Sequence, residues 1–424
     1  MVVLIKQAKI VDPASPKHGE EMDVLIRDGR IEQIDTGLAP PKGATLIDEA
    51  GTCLSAGWMD IGAQPGDPGF EHREDLQTLG RTAAAGGFTA LAVAPNTFPC
   101  VDSKSQVQYL LHNSREALVE LYPIGAVSAH CEGKDLTEML DMRQAGAVAF
   151  SDGALAIQHG GLMMRALLYV KAFDGIVLNL PFDRSIAVDG QMHEGYISTV
   201  LGLKGIPSMA EELMAIRDIS LAAYTGSRVL IHGISAAETV ELIRAAKARG
   251  EQVFASTPAL NLALDDRRLE GFDSLCKVLP PLRSAADREA LLQGLADGTI
   301  DLVVSNHVPL EEEAKSLEFP YADFGAIGLE TVYPILQTHL GDRLSIERIV
   351  ELLAVRPRQL LGLPAPAIEV GAPANLTLFQ PDATWTYEQR HILSRSANTP
   401  LIGTTFRGRV LAVVNRGQLS IRQE

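Results

Sequence analysis

Residues 228–257 read RVLIHGISAAETVELIRAAKARGEQVFAST, and their reading decides the fold. The stretch opens on a short apolar run, RVLIHG (228–233), and closes on another, QVFAST (252–257). Between them, SAAETVELIRAAKARG (235–250) reads as a helix that starts on Ser235 as N-cap and ends at Gly250. A near-continuous apolar run is what a parallel strand covered on both faces requires. Similar runs punctuate about residues 56–365: TALAVAP (89–95), AVAFSD (147–152), GIVLNL (175–180) and DLVVSN (301–306). Repeated βα units predict an α/β protein built on a (β/α)8 TIM-type barrel, in preference to an open sheet.

The ends of the chain have a different character. VVLIKQAKIV (2–11) is β-branched and alternating, and DVLIRDGRIEQID (23–35) turns at Asp28-Gly29, a tight hairpin signal. ANLTLF (374–379) and RVLAVVNRGQLSI (409–421) read as strands too, the second folded at Asn415-Arg416-Gly417. Two all-β ends around an α/β middle predict one small β-sandwich domain from residues 1–55 plus 366–424, beside a barrel domain over 56–365.

A chain of 424 residues suits such a division. Its net charge of −16, from 37 basic and 53 acidic residues, gives no broad attraction for nucleic acid or an anionic membrane. Cys53, Cys100, Cys131 and Cys276 are far apart in sequence and form no CxxC pair, so reduced thiols in a cytoplasmic protein are expected. The opening MVVLIKQAKIVD lacks a signal-peptide pattern, and no apolar run reaches membrane-spanning length.

Chemistry in such a barrel sits where the strands end. There the chain resembles the dihydroorotase family of the amidohydrolase superfamily. Five stretches in the family's order carry the resemblance. They are GFEHREDLQTLGRTAAAGGFTALAVAPNTFP (69–99), QAGAVAFSDG (144–153), HEGYISTVLGLKGIPSMAEELMAIRDISLA (193–222), LPPLRSAADREALLQGLADGTIDLVVSNHVP (279–309) and NTPLIGTTFRGRVLA (398–412).

The resemblance implies a zinc site opened by a His-x-His pair, because residues two apart on a strand face the same side. Here the stretch is Asp60-Ile61-Gly62-Ala63-Gln64-Pro65-Gly66, with Gly62 and Gln64 at the histidine positions. Gly66 stands where an arginine would hold the substrate carboxylate. Asp152 falls at or beside the bridging ligand. Leu180 and Gly233 take further histidine positions, with His232 one step early and expected on the opposite face. Ala259 replaces a substrate-side histidine, and Asn306 the catalytic aspartate. An asparagine amide cannot accept a proton from metal-bound water and return it to the leaving nitrogen.

These departures lead to the expectation of a chain that is not an enzyme, with no catalytic residue, metal or cofactor. The resemblance implies a structural subunit needed by the catalytic chain of aspartate carbamoyltransferase, in a complex of six copies of each chain with homodimers within it. Two alternatives stand beside it: an amidohydrolase with an altered metal site using Asp152 and His307, or a module sensing a pyrimidine ligand. Otherwise His307 and His232 read as core or rim histidines, His130-Cys131-Glu132 as a loop, Asn96 as a turn residue, and His72-Arg73-Glu74-Asp75 as a helix entry with solvated charge.

Overall fold

The computed structural model describes residues 1–422. Eight strands run parallel and in chain order: Trp58–Ala63, Phe88–Val93, Glu120–Gly125, Ala149–Phe150, Ile176–Asn179, Arg228–Ile231, Val253–Pro258 and Leu302–Val304. They form a nearly closed barrel, as the repeated βα pattern predicts. Alternation along the strands sorts two apolar layers. Ala90, Ala92, Leu178 and Leu230 join one buried cluster, while Leu91, Val93, Val177 and Val229 join the cluster that packs against the helices.

The first and last barrel strands are tied at the barrel's C-terminal end. The Gln64 amide donates to the His307 carbonyl at 2.9 Å. Asp60 accepts from the Ser305 amide at 2.7 Å and the Ser305 hydroxyl at 2.6 Å. Burial pushes the Asp60 carboxyl up to about 6 against these bonds.

The helix expected over 235–250 is observed as Ala237–Ala248, and Ser235 is not its cap. The Ser235 hydroxyl is taken by Glu211 at 2.5 Å. Glu211 also accepts from the Ser235 and Ala236 amides at 2.8 and 2.9 Å, so a carboxylate from a neighbouring helix sits at this N-terminus. A tertiary contact of that kind leaves no local signal.

Strands from both ends of the chain meet in one further eight-stranded sheet. It runs from Gln418–Ile421 through Thr405–Asn415, Leu376–Thr386, Cys53–Ala56, Val2–Ile10 and Glu21–Arg27 to Arg30–Asp35, with Thr45–Ile47 paired to Val2–Ile10. Asp28 and Gly29, at φ 50° and 76°, make the left-handed hairpin turn that Asp-Gly favours. The later strands outrun the apolar stretches that signalled them. Leu376–Thr386 pairs with Thr405–Asn415 well beyond Phe379, over alternating half-exposed residues. Among the described residues no helix is long and apolar enough to cross a membrane.

Candidate functional site at the barrel mouth

A cavity of about 110 Å³ opens where the barrel strands end. Gly62, Gln64, Leu180 and Asn306, all singled out in the sequence, line it together with His232. Ile124, Leu178, Leu279 and Phe324 make much of the rest of the wall apolar. His232 carries the one ionisable side chain among the lining residues described.

His232 was expected to face away, and it does not. Its strand ends at Ile231, so strict alternation no longer governs positions 232 and 233. A Cβ built on Gly62 meets His232 Nε2 at 2.6 Å, so the ring fills the space that a side chain at 62 needs. On the other side, Nδ1 lies 2.9 Å from the Ser256 hydroxyl. That hydroxyl accepts from the Gly233 amide at 3.1 Å and is fully buried, which leaves Nδ1 as the acceptor for its own hydrogen. The imidazole hydrogen then sits on Nε2. Burial pushes His232 down to about 4, so at neutral pH the ring is uncharged and offers Nε2–H to the cavity.

Asn306 has a left-handed backbone, φ 47°. Its amide nitrogen donates to the Leu279 carbonyl at 3.1 Å, which fixes the amide plane at the cavity wall. Leu180 is buried and adds hydrocarbon to the cavity wall.

The other positions do not converge here. Asp152, expected at or beside a bridging position, is turned into the loop that follows the third barrel strand. Its carboxylate accepts from the Val127 and Ser128 amides at 3.0 and 2.9 Å and from the Ser128 hydroxyl at 2.6 Å. Burial raises its pKa against those three bonds. These three bonds make it an anchor of that loop. At Gly66, φ is 72° and a built Cβ lies 2.2 Å from the Glu74 carbonyl oxygen. The backbone has no room for the arginine of the resemblance. Gly233 faces Leu180 and Pro280 at 3.5 and 3.6 Å from its built Cβ, so a side chain there is aimed at packed hydrocarbon. Ala259 is buried at the start of the short helix Ala259–Ala263, beside a void of roughly 10 Å³ that Asn306 separates from the main cavity.

His307 is a core histidine, as expected. It is fully buried, its Nδ1 accepts from the Gly328 amide at 3.2 Å, and its Nε2 lies 3.4 Å from Glu74. Glu74 corrects the reading of 72–75 as solvated charge: it is fully buried. Burial raises its pKa, but bonds from His307 and Ser394 outweigh that and hold it below the ordinary glutamate value. Asp75 does what a helix entry demands, accepting from the Gln77 and Thr78 amides ahead of Leu76–Ala85.

A catalytic zinc in this class needs about three imidazole or carboxylate ligands. Among the described residues no group of three or more His, Cys, Asp or Glu side chains is placed to hold a metal ion. The residues at the barrel mouth therefore do not fit the zinc of the resemblance. Sequence reasoning missed the inward aim of His232. The available signal was Gly62 itself, a residue that leaves room for a ring from across the barrel.

A family model described as "Dihydro-orotase-like" matches residues 51–239. A dihydroorotase from Syntrophotalea carbinolica is 40% identical over 426 residues, covering 100% of this chain and 99% of that protein. One from Pelotomaculum thermopropionicum is 41% identical over 422 residues, covering 99% and 98%. Among solved structures, an L-hydantoinase (dihydropyrimidinase) from Arthrobacter aurescens superposes with a TM-score of 0.86 at 24% identity, covering 100% of this chain and 96% of that one. A D-hydantoinase gives 0.82 at 22% identity, covering 100% and 95%. These hydantoinases share the fold.

The comparisons overturn one expectation. Relatives about 40% identical along the whole chain are named as an enzyme, which favours an active enzyme over a degenerate one. The inference from missing ligands to a missing activity is thereby corrected. Loss of one metal set is a statement about that metal set, and other groups at the same cavity remain. With full-length similarity at this level, the chain belongs to the dihydroorotase family.

Proposed function

We propose that this chain serves the carbamoyl aspartate–dihydroorotate step of pyrimidine biosynthesis, binding the cyclic amide in the barrel-mouth cavity. The observation that carries the reading is the placement of Gln64, His232 and Asn306 around one cavity at the strand ends of a chain similar throughout to named dihydroorotases. Closing the ring requires attack of the ureido nitrogen on a carboxyl carbon and departure of water. The neutral His232 Nε2–H is placed to donate to the carboxyl oxygen on which charge develops. Gln64 and Asn306 supply amide groups for the ureide edge, and the apolar wall excludes water. No step is routed through zinc, because the residues do not fit it.

The proposal extends to assembly. The chain works with the catalytic chain of aspartate carbamoyltransferase, six copies of each, with homodimers of this chain inside the complex. Residues 1–55 with 366–424 are taken as the small β-domain and 56–365 as the barrel domain, a division that limited proteolysis tests. The support for assembly is the family resemblance of the sequence.

The experiment is to co-express the two chains and measure mass, transferase activity and interconversion of carbamoyl aspartate and dihydroorotate. The expected result is one large complex that interconverts the two compounds. Replacing His232→Ala is expected to lower that rate about 10²-fold or more, the usual cost of losing a donor to a developing oxyanion, and to leave the mass unchanged. Transferase that reaches full size and activity alone refutes the assembly. An unchanged rate in the His232 variant refutes its role.

A further inference from the structure

The loops that follow the second and third barrel strands are joined to each other. The Ala126 amide donates to the Val101 carbonyl at 2.7 Å, and Asp102 pairs with His130 at 3.0 Å. Next to these links in sequence stand Cys100, beside Val101, and Cys131, beside His130. They are 31 residues apart in sequence, yet their sulfurs meet at 2.8 Å. Both are buried, 9% and 5% exposed, in a small cluster that holds only these two and Ala126. A separation of that size is shorter than ordinary contact between two sulfurs.

A second observation points to the same place. His130 and Cys131 are consecutive non-glycine residues with left-handed backbones, φ 55° and 57°. Such a conformation persists only where the surroundings impose it. Here Asp152 and Ser128 impose it: Ser128 donates to Asp152 at 2.6 Å and accepts from the Gly133 amide at 2.7 Å. The turn presents the Cys131 sulfur to Cys100. Cys53 and Cys276 are buried elsewhere, in the large core cluster.

We propose that Cys100 and Cys131 are a redox-responsive pair that closes to a disulfide and locks the two loops at the rim. Two S–H bonds break and one S–S bond forms. The two electrons and two protons go to a small oxidant, either hydrogen peroxide, which becomes two waters, or a low-molecular-weight disulfide, which becomes two thiols. Hydrogen bonding to Cys100, burial and the nearby Asp152 all push the Cys131 thiol far up, which disfavours its thiolate. Since Ala94 and Pro95 line the cavity and belong to the first of the two loops so tied, closure stiffens that part of its rim.

The test uses the whole chain. Purified protein is treated with hydrogen peroxide or oxidised glutathione, unfolded, alkylated, digested and weighed. The expected result is loss of alkylation at Cys100 and Cys131 and a joined peptide lighter by about two hydrogen masses, reversed by a thiol reductant. Cys53 and Cys276 stay open to alkylation, and Cys131→Ser abolishes the joined peptide while Cys53→Ser does not. Mapping of the unaltered protein needs no variant, so misfolding of Cys131→Ser leaves the test intact. Full alkylation of Cys100 and Cys131 after oxidation overturns the proposal. So does a joined peptide that contains Cys53 or Cys276, or oxygen addition at Cys100 with no joined peptide.

Discussion

At the scale of single residues, Gly62 and His232 occupy one volume between them. Replacing Gly62→Ala puts a Cβ 2.6 Å from the ring nitrogen and forces a non-glycine residue to φ 95°. The expected outcome is a loss of about 1–3 kcal/mol in denaturant unfolding, together with weaker dihydroorotate-induced thermal stabilisation as the ring is displaced. An unaltered unfolding midpoint shows that the ring does not sit there. His232 also predicts a pH dependence. Its folded pKa, about 4, lies below that of an ordinary histidine, so the unfolded chain binds the proton more readily. Stability from this group is complete above about pH 6.5 and is lost as pH falls toward 4, by about 2–3 kcal/mol. The difference in stability between the natural protein and His232→Gln, followed over that window, isolates the effect. A constant difference contradicts the buried neutral ring. Gly62, Gln64 and Asn306 were legible as departures from a ligand pattern because identity alone decides that a glycine or an amide is not a zinc ligand. The aim of His232 and the turn of Asp152 into a neighbouring loop were not, since the first depends on where a strand stops and the second on amides from that loop.

At the scale of elements, the βα alternation was legible because buried parallel strands need apolar residues on both faces. The start of Ala237–Ala248 was not, because its N-terminus is satisfied by Glu211 from Ser208–Thr225. Glu211 also meets Arg283 at 3.1 Å, with both side chains buried. Removing one partner of such a pair leaves an uncompensated charge. Glu211→Ala is accordingly expected to cost about 3–5 kcal/mol in chemical denaturation, several times the cost of an ordinary cap. A loss below about 1 kcal/mol refutes the shared cap and ion pair. Similar reasoning explains the long strand Leu376–Thr386. Its outer half is held by pairing with Thr405–Asn415 and not by an apolar pattern of its own.

At the scale of the whole molecule, strands from both ends of the chain meet in one sheet and the barrel mouth holds a cavity. The step from a missing ligand set to a missing enzyme failed at this scale. Ligand positions report on one metal, whereas full-length similarity reports on the whole scaffold. Those two facts together define the central claim: work at the dihydroorotate step without a zinc at the barrel mouth. The direct measurement is the rate of carbamoyl aspartate–dihydroorotate interconversion by the co-expressed complex, before and after dialysis against a strong chelator, with zinc counted per chain. The predicted result is turnover that survives chelation in protein carrying no stoichiometric zinc. Turnover that disappears with the chelator and returns with added zinc, at one or two ions per chain, contradicts it.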